Sequence, residues 1–466
     1  MSATPALTRL AEFVAGHPRG QFDPAHVARA ADAFLDTLGC MLLGRNAPVT
    51  RFALEACAPW GGGPAVVPGT GVALPPPWAA LAGGAAAHAY DLDDYTLAAN
   101  DHPSAVVVPA LLAQASNIEG SISGAALLDA YLIGLEVIIR IGEAVNLGHY
   151  NQGWHTTSTI DSLGATAAVA RLTGLGPEEI AAALSLTTSM GSGFVSQFGT
   201  MAKPLHAGIS AKSGIVATAL ARAGATASPH VMDGPVSLLS TMTPEGAVGF
   251  DTALAGLGTS WGIDRSGLGA KLYPSCGYTH RCIDGAIELH DRLGGPKTED
   301  IASVDLSLPD FHLAILPYGV PDSTEEALFS APWCAAVGLM SGACKGSDFT
   351  QGSLARGELR ALTARMTATA RTPINPTVNI DPTDPDIVTV TLVDGRRETA
   401  RVGLFTGAPG RDLGREGLVK KYNDNCAFVG IPQCQSDALR EATLALPTAA
   451  SLADLQASVA GISPAN

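Results

Sequence analysis

Asp23-Pro24-Ala25-His26-Val27-Ala28-Arg29-Ala30-Ala31-Asp32-Ala33-Phe34-Leu35-Asp36-Thr37-Leu38-Gly39-Cys40-Met41-Leu42-Leu43-Gly44 carries the signals of a long buried helix. Asp23 caps, Pro24 takes the first helical position, and Val27, Ala31, Phe34, Leu38 and Leu42 form one apolar stripe before Gly44 ends the run. Similar patterns predict helices at about 78–92, 105–118, 123–147, 159–173, 177–190 and 204–223, rich in Ala, Gly and Ser. Small side chains let helix axes approach closely, so these segments predict a large all-helical domain.

The pattern changes after about residue 268. A helix over 280–293 is followed by Val304, Leu306 and Leu308 alternating with Ser303, Asp305 and Ser307, the mark of a strand with one solvated face. Val388, Val390 and Leu392 alternate in the same way, and Asp394-Gly395 offers a hairpin turn into Thr399–Val402. The expected class is therefore mainly α, with a smaller inserted α+β lid domain over 268–407 and a helical domain formed by 1–267 and 408–466. The cleft between the two is the expected ligand site.

The 466 residues are 47% hydrophobic and 15% charged, enough to cover large cores. The net charge of −15 opposes binding to nucleic acid or anionic lipid. The stretch 61–90 lacks formally charged side chains, yet its five prolines and many glycines oppose a membrane span. No basic and apolar leader opens the chain, and the eight cysteines are scattered without C-x-x-C pairs, so a reducing cytoplasm is the expected setting.

An acidic protein that binds an acidic metabolite must gather its few cations locally. Four segments place a histidine or lysine beside an expected helix start, where free N–H groups and the positive dipole end favour anions: His102-Pro103, His155-Thr156-Thr157-Ser158, Lys203-Pro204 and Thr279-His280. Ser158 and Asp161 fit a capping box, Lys203 an N-cap before Pro204, and Thr279 an N-cap before His280. Asp91, Asp93 and Asp94 supply nearby carboxylates as bases. The same acidic run could hold magnesium in the isoprenoid-synthase manner, but the other dense cluster, Asp381, Asp384 and Asp386, is broken by Pro382 and Pro385. There is no H-E-x-x-H, no zinc-ligand spacing and no dinucleotide loop. Neither a metal nor a cofactor is expected.

Asp91-Leu92-Asp93-Asp94 with His102-Pro103-Ser104, Gly153-Trp154-His155, Met201-Ala202-Lys203-Pro204-Leu205-His206-Ala207-Gly208 and Tyr273-Pro274-Ser275-Cys276-Gly277-Tyr278-Thr279-His280 together resemble the MmgE/PrpD family, in order over nearly the whole chain. The resemblance implies a helical domain with an α+β lid, a homodimer, and an active site lined by Asp91, His102, His155, Lys203 and His280. Its activities include 2-methylcitrate dehydration, cis-aconitate decarboxylation and iminodisuccinate epimerisation. Two departures are visible: the Asp91 to His102 spacing is one residue longer than in many members, and Thr156 replaces a frequent proline. The compact length, without a tryptophan-rich acidic motif, looks most similar to the iminodisuccinate epimerases.

The function expected from these residues is cofactor-independent acid/base chemistry at the carbon α to a carboxylate of a small di- or tricarboxylate. Epimerisation of iminodisuccinate, an isomerase reaction, is the first expectation. Asp91, His102 and Lys203 would be catalytic, and His155, His280 and Tyr318 would bind substrate. A dehydratase or decarboxylase of a citrate- or aconitate-like acid shares the first step, and a non-catalytic carboxylate-binding protein shares the pocket.

Overall fold

The computed structural model describes residues 4–243 and 245–462. The quoted segment forms the helix Pro24–Gly44, with the Asp23 carboxylate accepting from the Ala25 N–H. Against it pack Pro76–His88, Pro103–Ala115 and Gly124–Asn151; Asp161–Thr173 and Ala202–Arg222 pack on those helices, and Pro177–Thr187 on these two in turn. Phe34, Leu38, Met41, Val106, Leu111, Ile133, Ile138, Leu163 and Ile215 meet in one apolar core. Each fully buried side chain of this size stabilises the fold by roughly 1.5–3 kcal/mol. Tyr422 and Cys426 of the helix Gly414–Phe428 and Leu439 of Gln433–Leu444 belong to that same core.

Within 61–90 the chain makes a short antiparallel hairpin, β1 (Ala65–Val66) with β2 (Ala73–Leu74), and then the helix Pro76–His88. Among the described residues no helix is long and apolar enough to cross a membrane. The helix Pro76–His88 lies against Ala202–Arg222 at a glycine contact. A Cβ on Gly84 would sit 2.7 Å from the Gly208 Cα, and one on Gly208 would sit 2.1 Å from the Leu81 carbonyl oxygen. Only glycine at both positions permits this approach, which sets the separation of His88 and Lys203.

The smaller region carries a four-stranded sheet in the order β4-β3-β5-β6, with β3 Ile301–Pro309, β4 Met366–Arg371, β5 Asp386–Leu392 and β6 Arg397–Val402. β3 pairs parallel with β4 and antiparallel with β5, and β5 with β6 antiparallel through the turn at Gly395, φ 87°. The alternating Val304, Leu306, Leu308, Val388 and Val390 face the helices His280–Leu293 and Ala331–Ser341. The molecule is a predominantly helical domain with a smaller α+β lid. The alternation that revealed β3 and β5 is absent from β4, whose residues are half-exposed or exposed beyond Met366.

Several helix starts differ from the expected ones. Met201, not Lys203, caps Ala202–Arg222, because the preceding turn already has helical backbone angles and places Lys203 in the first turn. Ser158 and Asp161 form no capping box: Thr156–Thr159 is a separate short turn, the Ser158 hydroxyl donates to the Ser192 carbonyl, and Asp161 faces another segment. Thr279 precedes His280–Leu293 but donates its hydroxyl to Cys276. His102 and His155 do stand at the N-cap positions of Pro103–Ala115 and Thr156–Thr159.

Candidate active site

Past His88 the chain turns sharply and holds Asp91 at φ 50°; Asn100 at φ 55° is the only other such non-glycine among the described residues. Left-handed backbone costs an L-residue roughly 1–2 kcal/mol and is most tolerable for Asp and Asn. Both strained residues line one small cavity, together with His102, Tyr150, His155, Phe198, Lys203, Lys271, Cys276 and Tyr278. Its free space is about 40 Å³.

Asp91 is the centre of charge. Its Oδ2 lies 2.9 Å from Lys203 Nζ, its Oδ1 pairs with Lys271 Nζ, and its backbone carbonyl accepts from Lys271 at 3.0 Å. Asp91, Lys203 and Lys271 are all buried. Burial opposes ionisation of Asp91, but Lys203, then Lys271 and His102, outweigh it and hold the carboxyl well below the usual carboxylate range. Burial lowers Lys203, with Asp91 opposing and Lys271 adding to the fall, so its ammonium gives up a proton more readily than a solvated lysine.

Asp93 bridges two imidazoles. His88 Nδ1 lies 2.9 Å from its Oδ1, and His102 Nδ1 3.1 Å from its Oδ2 and 3.0 Å from the Asp94 carbonyl. Two acceptors on Nδ1 fix the neutral tautomer with the proton there, leaving Nε2 as an acceptor. His88 Nε2 uses that lone pair on Lys203 Nζ, 2.9 Å away; His102 Nε2 lies on the cavity side, 3.5 Å from Asp91 Oδ1. Burial, reinforced by Lys271, brings His102 down to about 3. His155 is held well below its ordinary value by burial and by Lys203, and its Nδ1 meets His206 Nδ1 at 2.9 Å.

The lid closes the cavity through a ring of amides and a phenol. Asn100 Nδ2 donates to Tyr278 Oη at 3.0 Å, Tyr278 Oη donates to Asn379 Oδ1 at 2.8 Å, and Asn379 Nδ2 returns to Asn100 Oδ1 at 2.8 Å. Cys276 stands among these groups with its thiol pushed up to about 11 by burial and Asp91.

The sequence-derived residues Asp91, His102, His155 and Lys203 thus converge. His280 does not line the cavity: it is buried one layer behind, between Tyr273 and Phe405, with Nε2 3.3 Å from the Ser275 carbonyl. Tyr318 reaches across from the lid, but its hydroxyl donates to the Phe198 carbonyl at 3.1 Å and the ring covers Gly199 outside the cavity. Lys271 and His88 are participants that the sequence reading passed over. A lysine two residues before Tyr273-Pro274 in an uncharged segment, and a histidine closing an alanine helix, were the available signals.

Ligand atoms of His88, Asp91, Asp93 and His102 fall within 4.8 Å of one another. Both Asp91 oxygens are already paired with ammonium groups and both Nδ1 atoms with Asp93, so the set is a charge-compensated network that two lysines would make hostile to a divalent cation. The second acidic cluster offers no matching half: Asp384 and Asp386 pair with Arg371 and Arg281 in the lid.

A buried pair of lysines around one carboxylate, flanked by neutral imidazoles, defines a site for a small carboxylic acid. Residues 8–250 match the MmgE/PrpD N-terminal domain and residues 273–446 the MmgE/PrpD C-terminal domain, and the chain belongs to the MmgE/PrpD family. It is similar to the cis-aconitate decarboxylase of Homo sapiens, 28% identical over 421 residues covering 86% of this chain and 83% of that one. The cis-aconitate decarboxylases of Mus musculus (29% identical, 76% and 72% covered) and Aspergillus terreus (28%, 73% and 73%) resemble it also. These relatives correct the expected subfamily: they are named as decarboxylases, hence lyases, and not as iminodisuccinate epimerases or any isomerase. Compact length was a poor guide, because chain length reflects loops more than the chemistry of a site.

Proposed function

We propose that this protein is a lyase that decarboxylates a cis-aconitate-like unsaturated tricarboxylate. Asp91 lying between Lys203 and Lys271 carries the reading: a buried pair of ammonium groups that grips one carboxylate can grip a substrate's, and stabilise charge that develops on it. The similarity to decarboxylases supplies the direction of the reaction.

In such a substrate the departing carboxyl sits two bonds from a carbon–carbon double bond. Its C–C bond breaks and releases CO2, that electron pair becomes a new double bond, and the old π pair moves to the carbon α to a remaining carboxylate. That carbon takes a proton, so a trianion plus one proton yields a dianion and CO2. Lys203, whose acidity burial enhances, donates the proton, while Lys271 and His155 bind carboxylates. His102, with Nε2 held as an acceptor, takes a hydrogen bond from water and so orients the water that returns a proton to the lysine. Asp91 keeps both lysines charged until substrate arrives. His280, one layer back, supports the Tyr273 and Phe405 wall rather than touching substrate.

Ligand pockets usually span about 300–1,000 Å³, so the 40 Å³ cavity is a closed state and the lid must swing to admit a tricarboxylate. A homodimer, as the family resemblance implies, is the proposed assembly. The test is incubation with cis-aconitate in D2O. Release of CO2 with one deuterium at the α carbon of an unsaturated dicarboxylate is expected; solvent exchange or hydration without CO2 would reject decarboxylation.

A further inference from the structure

Beneath His102 lie two carboxyls that the mechanism leaves unused. Asp101 is 1% exposed and Asp161 0%. Asp101 Oδ1 accepts from the Thr96 N–H at 3.2 Å and the Thr96 hydroxyl at 2.6 Å, and Asp161 Oδ2 accepts from the His102 N–H at 3.2 Å. The other two oxygens, Asp101 Oδ2 and Asp161 Oδ1, are both buried without a donor. The two side chains face each other, with Asp161 holding the N–H of His102, the residue that follows Asp101.

Two carboxylates in contact, shut off from water, cannot both stay ionised. Other groups facing them bring no relief: Asp94 adds negative charge, Tyr131 is a neutral phenol, and the imidazole of His102 is neutral and turned toward Asp93. Lys203 and Lys271 are committed to Asp91, and among the described residues no lysine or arginine forms an ion pair with Asp101 or Asp161. We propose that Asp101 and Asp161 share one proton between Oδ2 and Oδ1, and that this acid pair is the positioning element that fixes the His102 loop on the helix Asp161–Thr173. Burial pushes both carboxyls up, Asp161 well above its ordinary range with the Asp101 charge adding to the rise.

The geometry shows why the position matters. Thr96 and Asp101 close the turn 97–100, which carries Asn100 and links the run Asp91–Asp94 to His102, while Asp161 tethers the residue whose imidazole Asp93 orients. One proton therefore joins the turn between the acidic run and His102 to a core helix. Its loss would set two negative charges against each other directly under His102. The consequence for turnover rests on the decarboxylase reading; the shared proton does not.

The test is Tm against pH for the wild type, Asp161→Asn and Asp101→Asn. An Asn amide donates where the shared proton stands and accepts where the carboxylate oxygen did, without titrating. A pair whose folded pKa is raised is fully stabilising below the unfolded carboxylate value of about 3.9, and that contribution fades as pH rises toward the folded value. The Tm of the Asn variants relative to wild type should therefore climb by about 2 °C or more between about pH 5 and pH 9. A gap that stays constant with pH overturns the proposal. Should neither variant fold, neutron diffraction from deuterated wild-type crystals decides: a deuteron between Oδ2 and Oδ1 is expected, and its absence at neutral pH overturns it. On cis-aconitate the alkaline limb of kcat should move upward in Asp161→Asn. Absence of turnover altogether would reject the decarboxylase reading and leave the Tm and neutron results to judge the acid pair.

Discussion

Removing Lys271 exposes how the site balances charge. Lys271→Met preserves the stem but deletes the ammonium that pairs with Asp91 Oδ1 and donates to the Asp91 carbonyl at 3.0 Å. Both partners are about 2% exposed, so little solvent can compensate. Breaking a buried pair by deleting one partner costs about 3–5 kcal/mol. Lys203 remains 2.9 Å from the other oxygen and absorbs part of that loss, which places the expected destabilisation near the lower end, about 3 kcal/mol. Asp91 sits below its ordinary value in the folded protein, so its contribution is present above about pH 3.9 and vanishes as pH falls through the depressed value. The variant, with weaker depression, should lose stability at higher pH than wild type. For the substrate, one charge-assisted hydrogen bond of about 1.5–3 kcal/mol disappears, a rise in KM of about 10- to 150-fold. Urea unfolding at pH 7.5 and pH 4 together with steady-state kinetics measures both effects. Stability within about 0.5 kcal/mol of wild type with unchanged KM would refute the central role given to the Asp91 lysine pair.

Lys203→Met should lower kcat by about 10²- to 10⁴-fold, the usual worth of a positioned proton donor, with a far smaller loss in Lys203→Arg binding of a non-reactive tricarboxylate. Calorimetric titration beside kinetics separates the two. The buried neutral histidines, among them His102 and His280 at about 3 and His149 and His206 at about 4, must take up protons on unfolding, so stability should fall as pH drops below about 6.5, by about 1.4 kcal/mol per pH unit for each histidine involved. A proton uptake below one per molecule on unfolding at pH 5 would contradict this. Gly208→Ala forces a Cβ to within 2.1 Å of the Leu81 carbonyl and should cost about 1–3 kcal/mol while moving Lys203 away from His88; urea unfolding and kcat should fall together. Prolonged EDTA treatment should leave the rate on cis-aconitate unchanged, since lysines already neutralise the carboxylate cluster; a loss restored by added divalent metal would reverse that view.

Much of the fold was legible because its signals are local. The Asp23-Pro24 start, the stripe through Phe34 and Leu38, and the alternation in β3 and β5 each follow from a short period in the chain. Helix starts were less legible. Lys203 and Ser158 carry cap-like neighbours, yet whether a cap forms depends on how the preceding segment arrives: Thr200 accepts from the Ala202 N–H one turn earlier, and the Ser158 hydroxyl is drawn to the distant Ser192 carbonyl. The subfamily was misread because epimerase and decarboxylase ask for the same residue types, and the difference lies in where a proton meets a bound carbon.

By itself, the amino-acid sequence determined the helical majority, the α+β lid and the family, since periodicity, turn residues and ordered motifs survive without coordinates. Tertiary structure alone decided that Lys271 joins Lys203 on Asp91, that Asp93 orients both His88 and His102, that His280 stands one layer back, and that Asp101 meets Asp161. These pairs are separated by up to 180 residues, and burial is what makes their charges matter. A lysine in water is only a lysine; enclosed with one carboxylate and another ammonium, its charge and acidity become properties of the group.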